Sequence, residues 1–471
     1  MQKYIVSNRT DANCARFYGI MCAFYLANRL GVDFKFGWEQ QVFGGFDGKT
    51  PMNDNIYKKF ENQRIIGAKV DSSESIFDNV FLKNHFIDIK AQDEDEVWNH
   101  LKYPIPIKNF ADFKFVFETT DFVYYDISHS GFFWFDEQEY KACFRNFFNI
   151  IKFAPNINML IQKAKAISTK FQQGFVAVHI RTGDCIYGYS QWSQVISVMN
   201  QGMAIHYAME LIEELAKKQN IIVFSDDPDS VNLMLDRLQL NNVFSADKFR
   251  DFDKYSVSEL LLFDLALMSS ANQIYGTISN VSWVASLIST GEYNINVYNL
   301  ITSKEQYQNI KEKVQKFEFN PYQQSFSYAH LFLFAEKLKR DIQEQRFFLE
   351  KAMECNKQNF RYKMYFSYYL AKYAKTQELE QYLNSIDFAL FVQLLSLNFD
   401  KTDQGQILFL PYFYLADKKY PHIHQIFVTL QEIDKRKGCI WTQKIQKKAV
   451  RYFFRKMCCR ITFLKKYIIH L

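Results

Sequence analysis

Between residues 175 and 297 the chain alternates short, unbroken apolar runs with amphipathic stretches of helical period, and nothing else in its 471 residues constrains the fold as tightly. The runs at 175–180, 221–224, 243–244, 273–275 and 295–297 read as strands, and those at 203–218, 228–238, 257–269 and 280–289 as helices. A strand with no polar alternation is buried on both faces, which happens when helices cover both sides of a parallel sheet. The spacing therefore predicts a doubly wound α/β domain.

Three of these strands end in polar groups: His179-Ile180-Arg181-Thr182-Gly183-Asp184, then Ser225-Asp226-Asp227, then Gly276 to Ser282 with Thr277, Ser279 and Asn280 between. In a parallel sheet the carboxyl ends lie on one edge, so the three groups converge on one crevice, where such sheets bind ligands. Arg181 offers a planar fork of donors suited to a phosphate, or to a plain salt bridge at a strand end. Ser279, Asn280 and Ser282 open a helix, where unpaired N–H groups favour an anion; simple N-capping is the competing reading. Of Asp226 and Asp227, one caps the helix that starts at Pro228 and the other is left for a base or a ribose hydroxyl, or for no ligand at all. Glycine-rich dinucleotide and nucleoside-triphosphate loops are missing, and no DxD or histidine cluster argues for a metal.

The formal charge of +6 is unevenly placed. Residues 434–471 carry twelve Lys and Arg against one acid, which leaves the rest of the chain at about −5 and disfavours a nucleic-acid-binding body. In the tail, Ile440, Trp441, Val450, Phe453, Ile461 and Phe463 are interleaved with the basic residues. That pattern predicts an interfacial helix docking on an anionic membrane, against a solvated helix or an RNA-binding arm. Eight scattered cysteines without a CxxC pair read as reduced thiols, and no apolar stretch has the length of a signal core or a membrane span. A cytoplasmic protein, peripheral at the inner face of the cytoplasmic membrane, is expected.

The amino-terminal region opens as β-α-β from Tyr4, with Asp11 or Asn13 capping a helix that runs to Leu30 and ends at Gly31. Residues 44–55 form a loop, apolar runs near Phe81, at 113–117 and at 122–125 suggest further strands, and helices are expected at 138–151 and 156–170. After Pro321 the pattern is helical, with a degenerate tetratricopeptide-like pair over 349–373.

Together these residues resemble the fucosyltransferase superfamily, nearest in pattern to the α-1,2-fucosyltransferases. The family's H-x-R-R-x-D is matched by His179, Arg181 and Asp184, with Thr182 in place of the second arginine. Its F-S-D-D is matched by Phe224, Ser225, Asp226 and Asp227, and its N-S-T-F-S-W-W-A is echoed by Ser279, Ser282, Trp283 and Ala285. An amino-terminal G-G-x-G-N-Q keeps only Asn13, within Arg9 to Cys14. The resemblance covers roughly residues 4–300.

It implies two Rossmann-like domains of the GT-B type, an acceptor-side domain over 1–160 and a donor domain over 161–318; the helical spacing adds an all-α region over 319–433, weakly tetratricopeptide-like, and the charge pattern a basic tail over 434–471. It also implies inverting, metal-independent transfer from GDP-fucose, with no cofactor beyond the GDP-sugar donor; a glycan acceptor, or a lipid-linked glycan that suits the membrane-docking tail, is expected, in surface polysaccharide or lipopolysaccharide synthesis. Arg181 then holds the β-phosphate, completed by Ser279, Asn280 and Ser282. Asp226 or Asp227 meets the guanine or ribose, and His179 supports Arg181 or touches the phosphate, while Asp184 steadies the guanidinium. Asp11 is the expected general base, with Glu39 and Asp47 as rivals. The alternative is a non-catalytic scaffold, a degenerate transferase domain presenting its helices to partners.

Overall fold

A computed structural model describes residues 3–10, 12–40, 43–44, 50–51, 64–66, 69–88, 109–119, 124–126, 137–188, 200–401, 411–412, 415 and 417–436. The polar strand ends depend on two parallel sheets. In the first, β1 (Tyr4–Ser7) lies between β2 (Asp33–Phe36) and β5 (Tyr124–Asp126), and α1 (Asn13–Leu30) makes the crossover from β1 to β2. Gly31 ends α1 at φ 70°, a left-handed cap open to a residue without a Cβ. Between these strands a short antiparallel pair joins β3 (Phe43–Gly44) to β4 (Thr50–Pro51).

The second sheet contains β6 (Val176–Ile180), β7 (Ile221–Ser225), β8 (Val243–Ser245), β9 (Gln273–Gly276) and β10 (Ile295–Asn296). All its pairs are parallel, in spatial order β10-β9-β6-β7-β8. Counted within the sheet this is 5-4-1-2-3, the doubly wound order in which direction reverses between the first and fourth strands. β6 and β7 are buried at every position, as their unbroken apolar sequences require.

Helices in the amino-terminal half are α2 (Ser73–Ile76), α3 (Asn79–His85), α4 (Phe110–Thr119), α5 (Glu137–Phe144), α6 (Phe147–Ile150) and α7 (Pro155–Ser168). Those between the strands of the second sheet are α8 (Ile205–Ala216), α9 (Pro228–Leu238), α10 (Val257–Met268) and α11 (Asn280–Thr290). One hydrophobic core runs through both sheets: Phe17, Phe77 and Phe153 belong to the same cluster as Phe224, Leu265 and Leu287. Phe17 stands at its centre, with the rings of Trp38 and Phe147 at 5.4 and 5.6 Å.

Two expected strands are helices. The run around Phe81 is α3, because Asp78 accepts hydrogen bonds from Val80 N and Phe81 N at 2.8 and 3.2 Å and so starts a helical turn. The run at 113–117 lies in α4, where Phe113 and Phe117 are four apart and both buried, a helical rather than an alternating pattern. Neither expected cap closes α1: its cap residue is Ala12, Asp11 lies outside the described residues, and Asn13 is the first helical residue. The Asn13 amide instead reaches Lys69 O and Ser258 Oγ, each at 3.2 Å, tying α1 to the start of α10.

After β10, the elements among the described residues are helical: α12 (Ser303–Lys316), α13 (Pro321–Lys337), α14 (Ile342–Cys355), α15 (Phe360–Lys372), α16 (Thr376–Ser385), α17 (Phe388–Lys401) and α18 (Pro421–Arg436), apart from a single 3-10 turn (Val297–Asn299). The compact unit that holds both sheets continues to Asn356, beyond residue 318 where the sequence puts a boundary. His206, wholly buried on α8, fastens α12 and α13 to it: Nε2 donates to Phe317 O at 2.9 Å and Nδ1 accepts from Ser327 Oγ at 2.7 Å. The second unit contains α15–α18. Within it, Glu380 takes His422 N and Ile423 N at 3.0 and 3.1 Å at the open end of α18. The tail from residue 437 onward lies outside the described residues.

Candidate active site

β7, β6 and β9 are adjacent in the sheet, so their carboxyl ends bring His179, Arg181, Asp226, Asp227, Ser279, Asn280 and Ser282 to one edge. Arg181 stands at the point where strand order reverses, between β6 and β9. It is half-buried; Nη1 donates to Gln201 Oε1 at 3.3 Å, and its carbonyl accepts from Met203 N at 3.0 Å. Gln201 is fixed in turn from the β9 side, since Thr277 Oγ1 donates to its carbonyl. Cys14 lies in the first turn of α1, within electrostatic reach of Arg181. Its thiol is pushed well above the ordinary range by burial, with the Arg181 charge acting in the opposite direction.

The turn that carries Arg181 is held through its backbone. Asp226 Oδ1 accepts from Thr182 N and from Gly183 N, both at 2.8 Å. Gly183 permits this approach: a Cβ there would lie 2.7 Å from both Asp226 Cγ and Asp226 O. Thr182, in the place of the family's second arginine, has no exposed surface and its hydroxyl lies 3.2 Å from Ser225 Oγ. That position therefore packs inward, and Arg181 is the cation of the motif.

Asp227 is the cap of α9, accepting from Ser230 N at 3.0 Å through Oδ1. Its Oδ2 accepts from Tyr187 Oη at 2.9 Å and Gln323 Nε2 at 2.7 Å, and the residue has no exposed surface. So one of the two carboxylates caps the helix, as the sequence predicts, but the other is committed to the Arg181 turn. Behind β7, buried Arg250 pairs with Asp264 and donates to Ser225 O at 3.3 Å. Burial raises the Asp264 carboxyl to about 6 against the pull of Arg250.

The opening of α11 separates its three polar residues. Ser282 is fully buried and its hydroxyl donates to Ser279 O at 3.2 Å, an internal role. Ser279 is the cap residue, 2% exposed, yet its side chain makes no cap hydrogen bond. Asn280, partly exposed, follows as the first helical residue. The anion-favouring end of α11 thus keeps its N-cap hydroxyl uncommitted to the helix. His179 is buried in β6, two residues before Arg181.

Asp184 starts a single wide turn (Asp184–Gly188), and its side chain lies outside the described residues. Asp11 and Asp47 also lie outside them, while Glu39 sits half-buried just beyond β2. Gln201 and Gln323 were not legible as site residues, because a glutamine in a polar stretch or at a helix start carries no motif. Among the described residues no group of three His, Cys, Asp or Glu is placed to hold a metal ion.

The fold is α/β, with its polar strand ends gathered at the switch point of a parallel sheet. The model of glycosyl transferase family 11 matches residues 52–323, more than half of the chain. The chain belongs to that family and is a glycosyltransferase. No curated protein matches it. Among solved structures, it is similar to the fucosyltransferase NodZ from Bradyrhizobium, at 15% identity and a TM-score of 0.34 over 61% of this chain and 94% of that one. NodZ α-1,6-fucosyltransferase soaked with GDP-fucose gives 14% and 0.32 over 61% and 93%. POFUT1 in complex with GDP gives 13% and 0.30 over 63% and 98%.

Proposed function

We propose that this glycosyltransferase moves fucose from GDP-fucose to a glycan acceptor with inversion and without a metal, in the synthesis of a surface polysaccharide or lipopolysaccharide. The observation that carries the reading is the position of Arg181 at the β6/β9 reversal, beside an α11 start whose Ser279 hydroxyl makes no cap bond. The two parallel sheets then serve as the acceptor and donor halves of a GT-B enzyme. The Arg181 fork and the α11 N–H groups hold the donor diphosphate, and their charge stabilises the GDP leaving group as the sugar–phosphate bond breaks. The acceptor hydroxyl attacks from the opposite face and passes its proton to a carboxylate, with Asp11 as our nominee and Glu39 and Asp47 as rivals.

A hydrolysis screen over GDP- and UDP-sugars tests the donor. GDP-fucose turnover that resists EDTA and disappears in Arg181→Ala is expected, whereas turnover of UDP-sugars alone would overturn the reading. Asp11→Asn should abolish transfer while sparing GDP binding, and loss in Glu39→Gln instead would move the base there. The tail over 435–471 is assigned to docking at the inner face of the cytoplasmic membrane, which suits a lipid-linked acceptor. Deleting it should release the protein from anionic vesicles and leave donor hydrolysis intact; unchanged vesicle binding removes that assignment.

A further inference from the structure

The Thr182–Gly183 turn is gripped from two sides, and the second grip comes from the helical region. Gln323 lies in the first turn of α13 and has no exposed surface. Its Nε2 donates to Thr182 O at 3.1 Å and to Asp227 Oδ2 at 2.7 Å. Both neighbours accept only, so the amide orientation is fixed by its partners. The cost is a buried Gln323 Oε1 with no hydrogen-bond partner. A methionine would fill the same space without leaving that oxygen unsatisfied, so packing alone does not explain the amide.

The start of α13 is itself pinned to the donor half. Asn320, its cap, accepts from Tyr322 N and Gln323 N, each at 3.1 Å, and donates to Tyr187 Oη at 2.7 Å and Ser230 Oγ at 3.1 Å. With Asp226 on the amide side of Thr182 and Gln323 on its carbonyl side, the peptide groups next to Arg181 have partners in both directions. A guanidinium mounted on a peptide fixed in this way is preorganised for its anion.

We propose that Gln323 is a positioning residue of the donor site, acting through the Thr182 carbonyl on the presentation of Arg181. The inference rests on Arg181 binding the donor diphosphate. The start of helix α13 is thereby part of the donor-binding machinery.

The test is a double-mutant cycle read by calorimetric titration of the full chain with GDP. Gln323→Met should weaken GDP binding about tenfold in the wild-type background and less than about twofold in Arg181→Ala, because the effect travels through the arginine. Tyr207→Phe removes a buried hydrogen bond elsewhere in the same unit, to Val297 O at 2.7 Å, without touching Thr182, Asp227 or the start of α13, and should leave affinity within about twofold. Equal losses from Gln323→Met in both Arg181 backgrounds, or a loss in Tyr207→Phe as large as that in Gln323→Met, overturn the proposal. Should the methionine variant not fold, Gln323→Asn, which keeps the amide and shortens its reach, is expected to give the same pattern. GDP binding by wild type that is unaffected by Arg181→Ala overturns the donor reading and this inference with it. An intact Arg181 effect with additive Gln323 effects overturns the inference alone.

Discussion

Gly183→Ala probes the turn on which the site is built. The new Cβ would lie 2.7 Å from the Asp226 carbonyl oxygen and from Cγ of its carboxyl group, closer than real contacts allow. Because one of these atoms is backbone, a side-chain rotation does not relieve the contact and the turn must move. Moving it stretches two N–H bonds to Asp226 Oδ1 that now measure 2.8 Å each. A hydrogen bond to a charged group contributes about 1.5–3 kcal/mol, so losing one and weakening the other costs about 2–4 kcal/mol. Urea unfolding followed by tryptophan fluorescence reads that loss. GDP titration should show at least a tenfold drop, since Arg181 moves with the turn. Asp226→Asn keeps an acceptor oxygen in place and should cost less than about 1.5 kcal/mol. Wild-type stability together with wild-type GDP affinity in Gly183→Ala would refute the reasoning.

The two serines of α11 should part company. Ser279→Ala removes a hydroxyl that makes no cap bond, so it is expected to change stability by less than about 0.5 kcal/mol while weakening GDP binding several-fold. Ser282→Ala removes the donor to Ser279 O and should cost about 1 kcal/mol of stability in a melting experiment. Acid sensitivity follows from His206, whose burial lowers its pKa from 6.5 to about 4. The unfolded chain takes up the proton first, so the stability this residue contributes is complete above pH 6.5 and is lost as pH falls toward 4. The loss amounts to about 3 kcal/mol. Melting curves of His206→Gln should be flatter than wild type across that window, and identical pH profiles would remove His206 as the cause.

The second sheet was legible because its signal is local and repeated: each strand is an unbroken apolar run, and its polar end is contiguous in sequence. The amino-terminal half was harder. Phe-rich stretches such as Phe110–Thr119 suit a strand by composition, and only their four-residue spacing and a polar group ahead of them decide for a helix. At the strand ends, residue type singles out Arg181 and Ser279 as candidates, but not what surrounds them. Asp226 reads as a ligand for a nucleoside, and its bonds to Thr182 N and Gly183 N are not visible in the sequence; Gln323 lies 141 residues from the carbonyl it grips. Such long-range backbone contacts leave no periodicity and no motif.

The central claim is that the Arg181 fork at the β6/β9 reversal holds the donor diphosphate. Calorimetric titration of wild type, Arg181→Lys and Arg181→Ala with GDP tests it most directly. The lysine variant should lose nearly as much affinity as the alanine variant, because a point charge does not reproduce a two-oxygen fork. Near-wild-type affinity in Arg181→Lys, or an undiminished affinity in Arg181→Ala, would contradict it.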